Sequence, residues 1–181
     1  MSLEKFKFDQ DFVIYCDNFK LIPIDIAYTG EMFRSISDNT VKFTSFNKPR
    51  CLDETLEFVN SAINQNSNNE SLIMMILEEK PNKFIGMVGL HELKSHSPKI
   101  GIWIKDSFHG KGIGKKSAKA IITYLTEKYS FYKEVIYPVA KNNIPSRKIA
   151  ENLGGVLDQN YSSKSKKYEL IRYIINLRKI S

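Results

Sequence analysis

Hydrophobic positions follow two rhythms along the chain, one of period two and one of period 3.6, and the switches between them divide it into elements. Residues 19–24 alternate weakly and stop at Pro23, which predicts a short strand. Asp25 is placed to cap a helix reaching about Ile36. Behind Asp53, Leu56, Val59, Ala62 and Ile63 recur at helical spacing, and Glu54 and Glu57 sit in the first turns, where acidic side chains favour a helix start. The polar stretch 64–69 then reads as a loop.

A strand-rich middle follows. Residues 72–77 are apolar and β-leaning, Pro81-Asn82-Lys83 is a turn, and 84–93 completes a hairpin. In 99–105, Ile100, Ile102 and Ile104 alternate with Trp103 on the opposite face, a third strand. Ala118, Ile121, Ile122, Leu125 and Tyr129 form one stripe of a helix, and 134–140 is another strand. A further helix starts at Asn142–Ser146 and stops at Leu153-Gly154-Gly155. Residues 156–161 and 168–177 pair as a closing hairpin. The order β-α-α-β-β-β-α-β-α-β-β predicts a mixed α/β fold, with a central twisted mixed sheet of about seven strands flanked by about four helices.

Composition narrows the class without fixing it. The 181 residues suit one domain over 1–181, and 42% hydrophobic with 26% charged residues is globular composition. No apolar stretch approaches the ~20 residues of a membrane span. Glu4, Asp9 and Asp11 without an apolar core argue against a secretory leader, so a cytoplasmic location and no membrane partner are expected. Cys16 and Cys51 make neither a disulfide framework nor a metal cluster, and both are expected buried or half-buried; no metal is predicted. The net charge of +7 is dense at Lys111, Lys115, Lys116 and Lys119 and again at Lys164, Lys166 and Lys167. No interleaved aromatics or reading motif accompany it, which disfavours nucleic acid as the partner.

The candidate chemistry lies where a strand meets a helix. Gly110, Gly112 and Gly114 stand at alternate positions ahead of the helix, with Lys111, Lys115 and Lys116 nearby. Unpaired N–H groups at a helix start, on backbone without Cβ atoms, can converge on a diphosphate. The same glycines also suit a tight strand-to-helix connection. Neither the Walker A spacing nor the Gly-x-Gly-x-x-Gly fingerprint is present. Pro138 sits inside an apolar strand, which implies either an edge strand or a strand parting from a parallel neighbour to leave a wedge. Asn143 and Ser146, around Pro145, suit the first turn of a helix as caps.

Together these features, over residues 84–161, resemble the GCN5-related N-acetyltransferase (GNAT) superfamily, and within it the RimJ/RimL-like branch that acetylates N-termini of ribosomal proteins. That superfamily has a Gln/Arg-x-x-Gly-x-Gly/Ala loop, here His109-Gly110-Lys111-Gly112-Ile113-Gly114; the branch adds Asn-x-x-Ser, a Glu and Leu-Gly, here Asn143, Ser146, Glu151 and Leu153-Gly154. The resemblance implies acetyl-coenzyme A as co-substrate, held by His109, Gly110, Lys111, Gly112, Ile113, Gly114 and Lys115, by the backbone of Ile102-Trp103-Ile104, with the N–H of Trp103 or Ile104 on the carbonyl, and by Asn143 and Ser146. It implies an amine acceptor, with a protein N-terminus as one class; alternatives are a polyamine or aminoglycoside, or a non-catalytic acyl-CoA-binding module. A homodimer is compatible with it. Ser146 is the candidate to hydrogen-bond the leaving sulfur, because Ala150 replaces the tyrosine many members carry. Glu92 and His91 lead the candidates for the base, followed by Glu57 and Tyr137. Two departures remain: His109 where Arg or Gln is usual, and Gly155 where Phe is usual, expected to loosen local packing.

Overall fold

The computed structural model of the chain describes residues 12–164 and 167–179. The expectations resting on Glu4, Asp9, Asp11 and Lys166 lie outside these residues. One sheet organises the rest. Its strands are β1 (Ile14–Cys16), β2 (Phe19–Pro23), β3 (Ser71–Glu78), β4 (Phe84–His91), β5 (Lys99–Ile104), β6 (Glu134–Ala140), β7 (Val156–Leu157), β8 (Ser163–Lys164) and β9 (Glu169–Asn176). The spatial order is β1-β2-β3-β4-β5-β6-β9-β7, with β8 also on β9. Neighbours are antiparallel except β5 and β6, which run parallel.

Helices cover both faces. On one lie α1 (Thr29–Ser35), α2 (Asp38–Val41) and α3 (Leu52–Ser67). Their Met32, Val41, Val59 and Ala62 pack on Ile73, Met75 and Met87 of the sheet. On the other lie α4 (Ile113–Lys128) and α5 (Ile144–Asn152), whose Ala118, Ile121, Ile122, Leu125 and Ala150 pack on Leu72, Met74, Val88, Ile100 and Val135. Strand β3 is buried over all but its last residue, so its sequence is a continuous apolar run instead of an alternation.

The expected mixed sheet is present with nine strands among the described residues, two more than the sequence reading. One addition is β1. The other is β8, which falls in the stretch between the two closing strands, while the strand expected over 156–161 stops at Leu157. Asp158 breaks it: its carboxylate accepts the Asn160 N–H at 3.1 Å and pairs with Arg172 at 2.8 Å. The helix expected after Asp25 is a 3-10 turn, Ile26–Tyr28, which Asp25 caps, followed by α1. Asp53 is not a cap. Helix α3 starts at Leu52, and Glu54 reaches back to accept the Arg50 N–H at 2.8 Å. The stretch 64–69 is mostly the last turn of α3 and not a loop. There Asn66 imitates a strand neighbour, accepting from Ile73 N at 2.8 Å and donating to Ile73 O at 2.9 Å. Cys51 is exposed, contrary to expectation, and Cys16 is half-buried.

Helix α5 ends as its glycines predict. Gly154 takes a φ of 77°, donates to Glu151 O, and lets Gly155 N–H reach Ala150 O at 2.9 Å. The expectation that Gly155 loosens packing is wrong. A Cβ there would lie 2.7 Å from Ala150 O and 3.1 Å from Tyr173 Cβ, so α5 and β9 approach over bare backbone. Gly155→Ala is therefore expected to destabilise the fold by about 1–3 kcal/mol, through overpacking. Urea unfolding measures it, and an unchanged midpoint would mean that the turn relaxes freely.

Candidate active site

Strands β5 and β6 begin together and then separate. Their register holds one pair, Lys99 with Ile136, and Ile136 N–H donates to Pro98 O at 2.9 Å. Alternation decides what lines the opening. Pro98 C=O points to β6, whereas Lys105 N–H points to Ile85 O of β4. Between those anchors the N–H and C=O groups of Ile102 and Ile104 face the gap, and those of Trp103 face β4. Of the two amides named from sequence, that of Ile104 is the one turned to the gap.

Pro138 fits the same alternation. Ile136 sends its N–H to β5, and Lys141 sends its own to Glu169 O at 2.9 Å, beside β9. The nitrogen of Pro138 therefore points into the gap, where no ladder bond is lost. On its other edge β6 pairs with β9 from Glu134 through Ala140. The strand is central, and of the two readings of Pro138 the parted strand is the correct one.

Two helices start at the open end. Gly110 and Gly112 have φ of 75° and 73°, and Gly112 is the N-cap of α4. A Cβ on either would have nothing within 4 Å. The backbone is bare and faces open space, room that a diphosphate fits. Lys116 N–H is bonded to Gly112 O, so the amides of Ile113, Gly114 and Lys115 precede the first helical bond. Gly114 serves packing instead: a Cβ would lie 3.1 Å from Ile149 Cδ1 of α5 and 3.7 Å from Ile102 Cδ1 of β5. His109 donates Nε2–H to Ile104 O at 2.7 Å, tying the loop to β5 through its side chain as well as its backbone. Asp106 joins this turn to α2, accepting from Ser37 Oγ at 2.6 Å and Asn39 Nδ2 at 2.9 Å; these bonds, Ser37 first, lower its carboxyl pKa.

The lysines of the loop have partners. Lys111 lies over the Phe108 ring at 4.7 Å, Lys115 donates to Asn152 Oδ1 at 3.1 Å, and Lys116 pairs with Asp17. At α5, Asn143 caps by accepting Ser146 N–H at 3.3 Å. Ser146 Oγ meets Tyr137 Oη at 3.0 Å. Tyr137 is 2% exposed, and burial pushes its hydroxyl pKa up to about 12. Ala150 is fully buried in the core.

The remaining candidates lie on the α1–α3 face or at its rim. Trp103 packs against Phe84 at 5.5 Å and Phe46 at 6.4 Å between ring centroids. His91 ends β4 opposite Lys99, largely covered, and burial lowers its imidazole pKa while the Glu92 charge opposes the shift. Glu92 turns away from the strand with a φ of 58° and pairs with Lys99 at 2.5 Å. Glu57 is exposed on α3. Ile104, His109–Lys115, Asn143 and Ser146 thus meet around the open end, whereas Trp103 lies on the other face and His91 and Glu92 lie at the closed end. Sequence reasoning missed the His109–Ile104 tie, the Tyr137–Ser146 contact and the Asp106 clasp on α2. The last joins residues 67 and 69 positions apart, with no local pattern to reveal it.

Residues 18–156 match the family model described as an acetyltransferase (GNAT) domain. An uncharacterised protein of Methanocaldococcus jannaschii is 33% identical over 88 residues, which are 48% of this chain; the chain spans only 18% of the length of that curated relative. Two solved structures share the fold. The ribosomal-protein-S5-alanine acetyltransferase of Vibrio fischeri superposes with a TM-score of 0.80 at 12% identity, covering 94% of this chain and all of that one. RimL, a ribosomal L7/L12 alpha-N-protein acetyltransferase solved with coenzyme A, superposes at 0.79 with 15% identity, covering 90% and 97%.

The covered imidazole gives a pH prediction. His91 has a folded pKa below its ordinary 6.5, so the unfolded chain binds more protons once the pH falls through that value. Its contribution to stability is intact above pH 6.5 and is lost as the pH falls toward the folded pKa. Unfolding free energy should fall between about pH 7 and about pH 5, and His91→Gln should flatten that slope. An equal slope in the variant would assign it to another group.

Proposed function

Because the chain belongs to the GNAT acetyltransferase family, we propose that it transfers the acetyl group of acetyl-coenzyme A to a primary amine, with a protein N-terminus as the acceptor class. The observation that carries this reading is the gap between β5 and β6, which opens onto two helix starts and the Cβ-free backbone of Gly110 and Gly112. An extended thioester arm fits between the parted strands, and its diphosphate fits the amides of the 109–115 loop. Residues 12–179 act as one catalytic unit, since one sheet carries both the gap and the acceptor face.

In this reading the amides of Ile102 and Ile104 hold the arm, and the N–H of Ile102, next to Gly101, polarises the thioester carbonyl. The amine enters from the α1–α3 face. Its nitrogen bonds to the carbonyl carbon as the carbon–sulfur bond breaks, and the electron pair leaves on sulfur. Ser146 donates its hydrogen bond to that sulfur. Tyr137 has a buried hydroxyl that stays protonated; donated to Ser146 Oγ, it frees the serine proton for the sulfur. Fixing the partners in place supplies much of the acceleration, about 7–11 kcal/mol where alignment is good.

The acceptor class rests on two supports. RimL, with the same fold, is an alpha-N-protein acetyltransferase. The acidic side chains that would attract a polyamine or aminoglycoside are largely engaged: Glu31 accepts the Phe84 N–H, Glu54 pairs with Arg50, and Glu92 pairs with Lys99.

Thermal unfolding with acetyl-coenzyme A, coenzyme A, ATP and NAD⁺ in parallel tests the cofactor. At a hundred times Kd, about 2.7 kcal/mol of added stability raises Tm by about 5–10 °C. A rise with the two coenzyme A species alone is expected, and a flat response to both would remove the loop from the site. Gly112→Asp, which puts a carboxylate where the diphosphate lies, should abolish the rise while the protein stays folded. Ser146→Ala should lower kcat about tenfold, with less effect on KM for acetyl-coenzyme A, and Tyr137→Phe should act in the same direction. Unchanged constants in both would leave the pair a purely structural contact. Binding without turnover on any amine would favour the non-catalytic module.

A further inference from the structure

The sequence leaves the base open among several residues. A directed chain of hydrogen bonds on the α3 side of the sheet separates them. Gln65 donates its Nε2 to Ser61 Oγ at 3.3 Å, which turns its Oε1 toward β3. Ser71 Oγ donates to that Oε1 at 3.0 Å. A serine has one proton to give, and here it goes to the glutamine. Ser71 Oγ is also 3.3 Å from His91 Nδ1, so in that contact the serine accepts and Nδ1 carries the hydrogen. In the neutral ring the free lone pair is then on Nε2.

The position of Nε2 gives this tautomer a use. It lies 3.2 Å from where a Cβ on Gly89 would be and 3.4 Å from where one on Gly101 would be. Gly89 and Gly101 are register partners, so the imidazole leans across two residues without side chains. Gly101 is two positions beyond Lys99, the last β5 residue paired with β6. Nε2 thus lies over the β4–β5 pair, beside the start of the gap, on the face that also carries Trp103.

We propose that His91 is the general base, its Nε2 taking the proton of the acceptor amine directly or through one water, and that Ser71 and Gln65 are positioning residues that hold the required tautomer. This rests on the acetyl-transfer reading above. The amine nitrogen forms the carbon–nitrogen bond and gives its proton to Nε2. The sulfur leaves as a thiolate with the electron pair of the broken bond, and the imidazolium returns its proton to solvent. Glu92 is a poorer base, because its carboxylate is paired with Lys99. The charged groups around the ring are that Glu92–Lys99 pair and the Glu70–Lys94 pair at the adjoining end of β3; α3 presents the uncharged Gln65. Burial keeps the ring neutral at neutral pH.

Two measurements on the full chain test this. The imidazole ¹⁵N shifts of His91 should show the Nδ1–H form at neutral pH, and Ser71→Ala should shift the balance toward Nε2–H. Acetyl transfer to a library of tetrapeptides with free N-termini, followed by thiol release, should lose rate on the acid side of an apparent pKa below 6.5. His91→Gln should lower kcat about 10²-fold or more, while the Tm rise with acetyl-coenzyme A stays at its wild-type size. Ser71→Ala should move the acid limb, and added imidazole should restore part of the rate to His91→Ala. An Nε2–H tautomer in the wild type, or wild-type kcat and acid limb in His91→Gln, would overturn the assignment. A wild-type chain that acetyl-coenzyme A does not stabilise would instead overturn the cofactor reading, and the tautomer would still be decided by its shifts.

Discussion

Two parallel strands that pair once and then part set the geometry on which the rest of this site depends. Parallel neighbours normally keep their hydrogen bonds along their length, because each unpaired backbone group in an interior costs free energy. Here β5 and β6 leave several such groups facing each other across a gap. The arrangement persists because β6 is held on its other edge over its whole length by β9. Pro138 lowers the cost further, since its nitrogen has no hydrogen to leave unbonded. The gap is thus a built feature of the sheet, and the amides of Ile102 and Ile104 remain available to a ligand that brings its own polar groups.

Glycines act in two distinct ways around that gap. Gly110 and Gly112 are required by backbone conformation, with positive φ and open space where a side chain would be. Gly114 is required by packing, because α4 presses its first turn against Ile149 of α5 and Ile102 of β5. The first pair keeps backbone bare toward solvent, and the third sets how closely two helix starts approach the strand. Gly89 and Gly101 serve a third purpose on the opposite face, leaving the imidazole of His91 room to lie across the sheet.

The two faces of the sheet therefore divide the chemistry. Tyr137 and Ser146 meet on the α4–α5 side, near the open end of the gap. His91, Ser71 and Gln65 meet on the α3 side, beside its closed end. In the proposed reaction a thioester lying between the strands is reached from one side by the incoming amine and from the other by the serine hydroxyl that hydrogen-bonds the leaving sulfur. Separation by the sheet keeps the proposed base and the Ser146 hydroxyl from bonding to each other.

The sequence by itself determined the periodic elements and the motif. The stripe in α4, the alternation in β5 and the Gly154-Gly155 stop are local signals, and each appears in the structure. The glycine loop and the Asn143–Ser146 turn were legible for the same reason: their geometry follows from neighbours in the chain. Local signals also misled. A polar run read as a loop became the last turn of α3, which grips Ile73. Asp158 ended after two residues a strand expected to run to Tyr161. Only the tertiary structure decided which way Pro138 faces, that His109 bonds Ile104, and that Tyr137 reaches Ser146. It also decided the order of proton donors from Gln65 through Ser71 to His91. Periodicity reports which face a residue occupies, whereas hydrogen-bond direction and strand separation are set by partners far away in sequence.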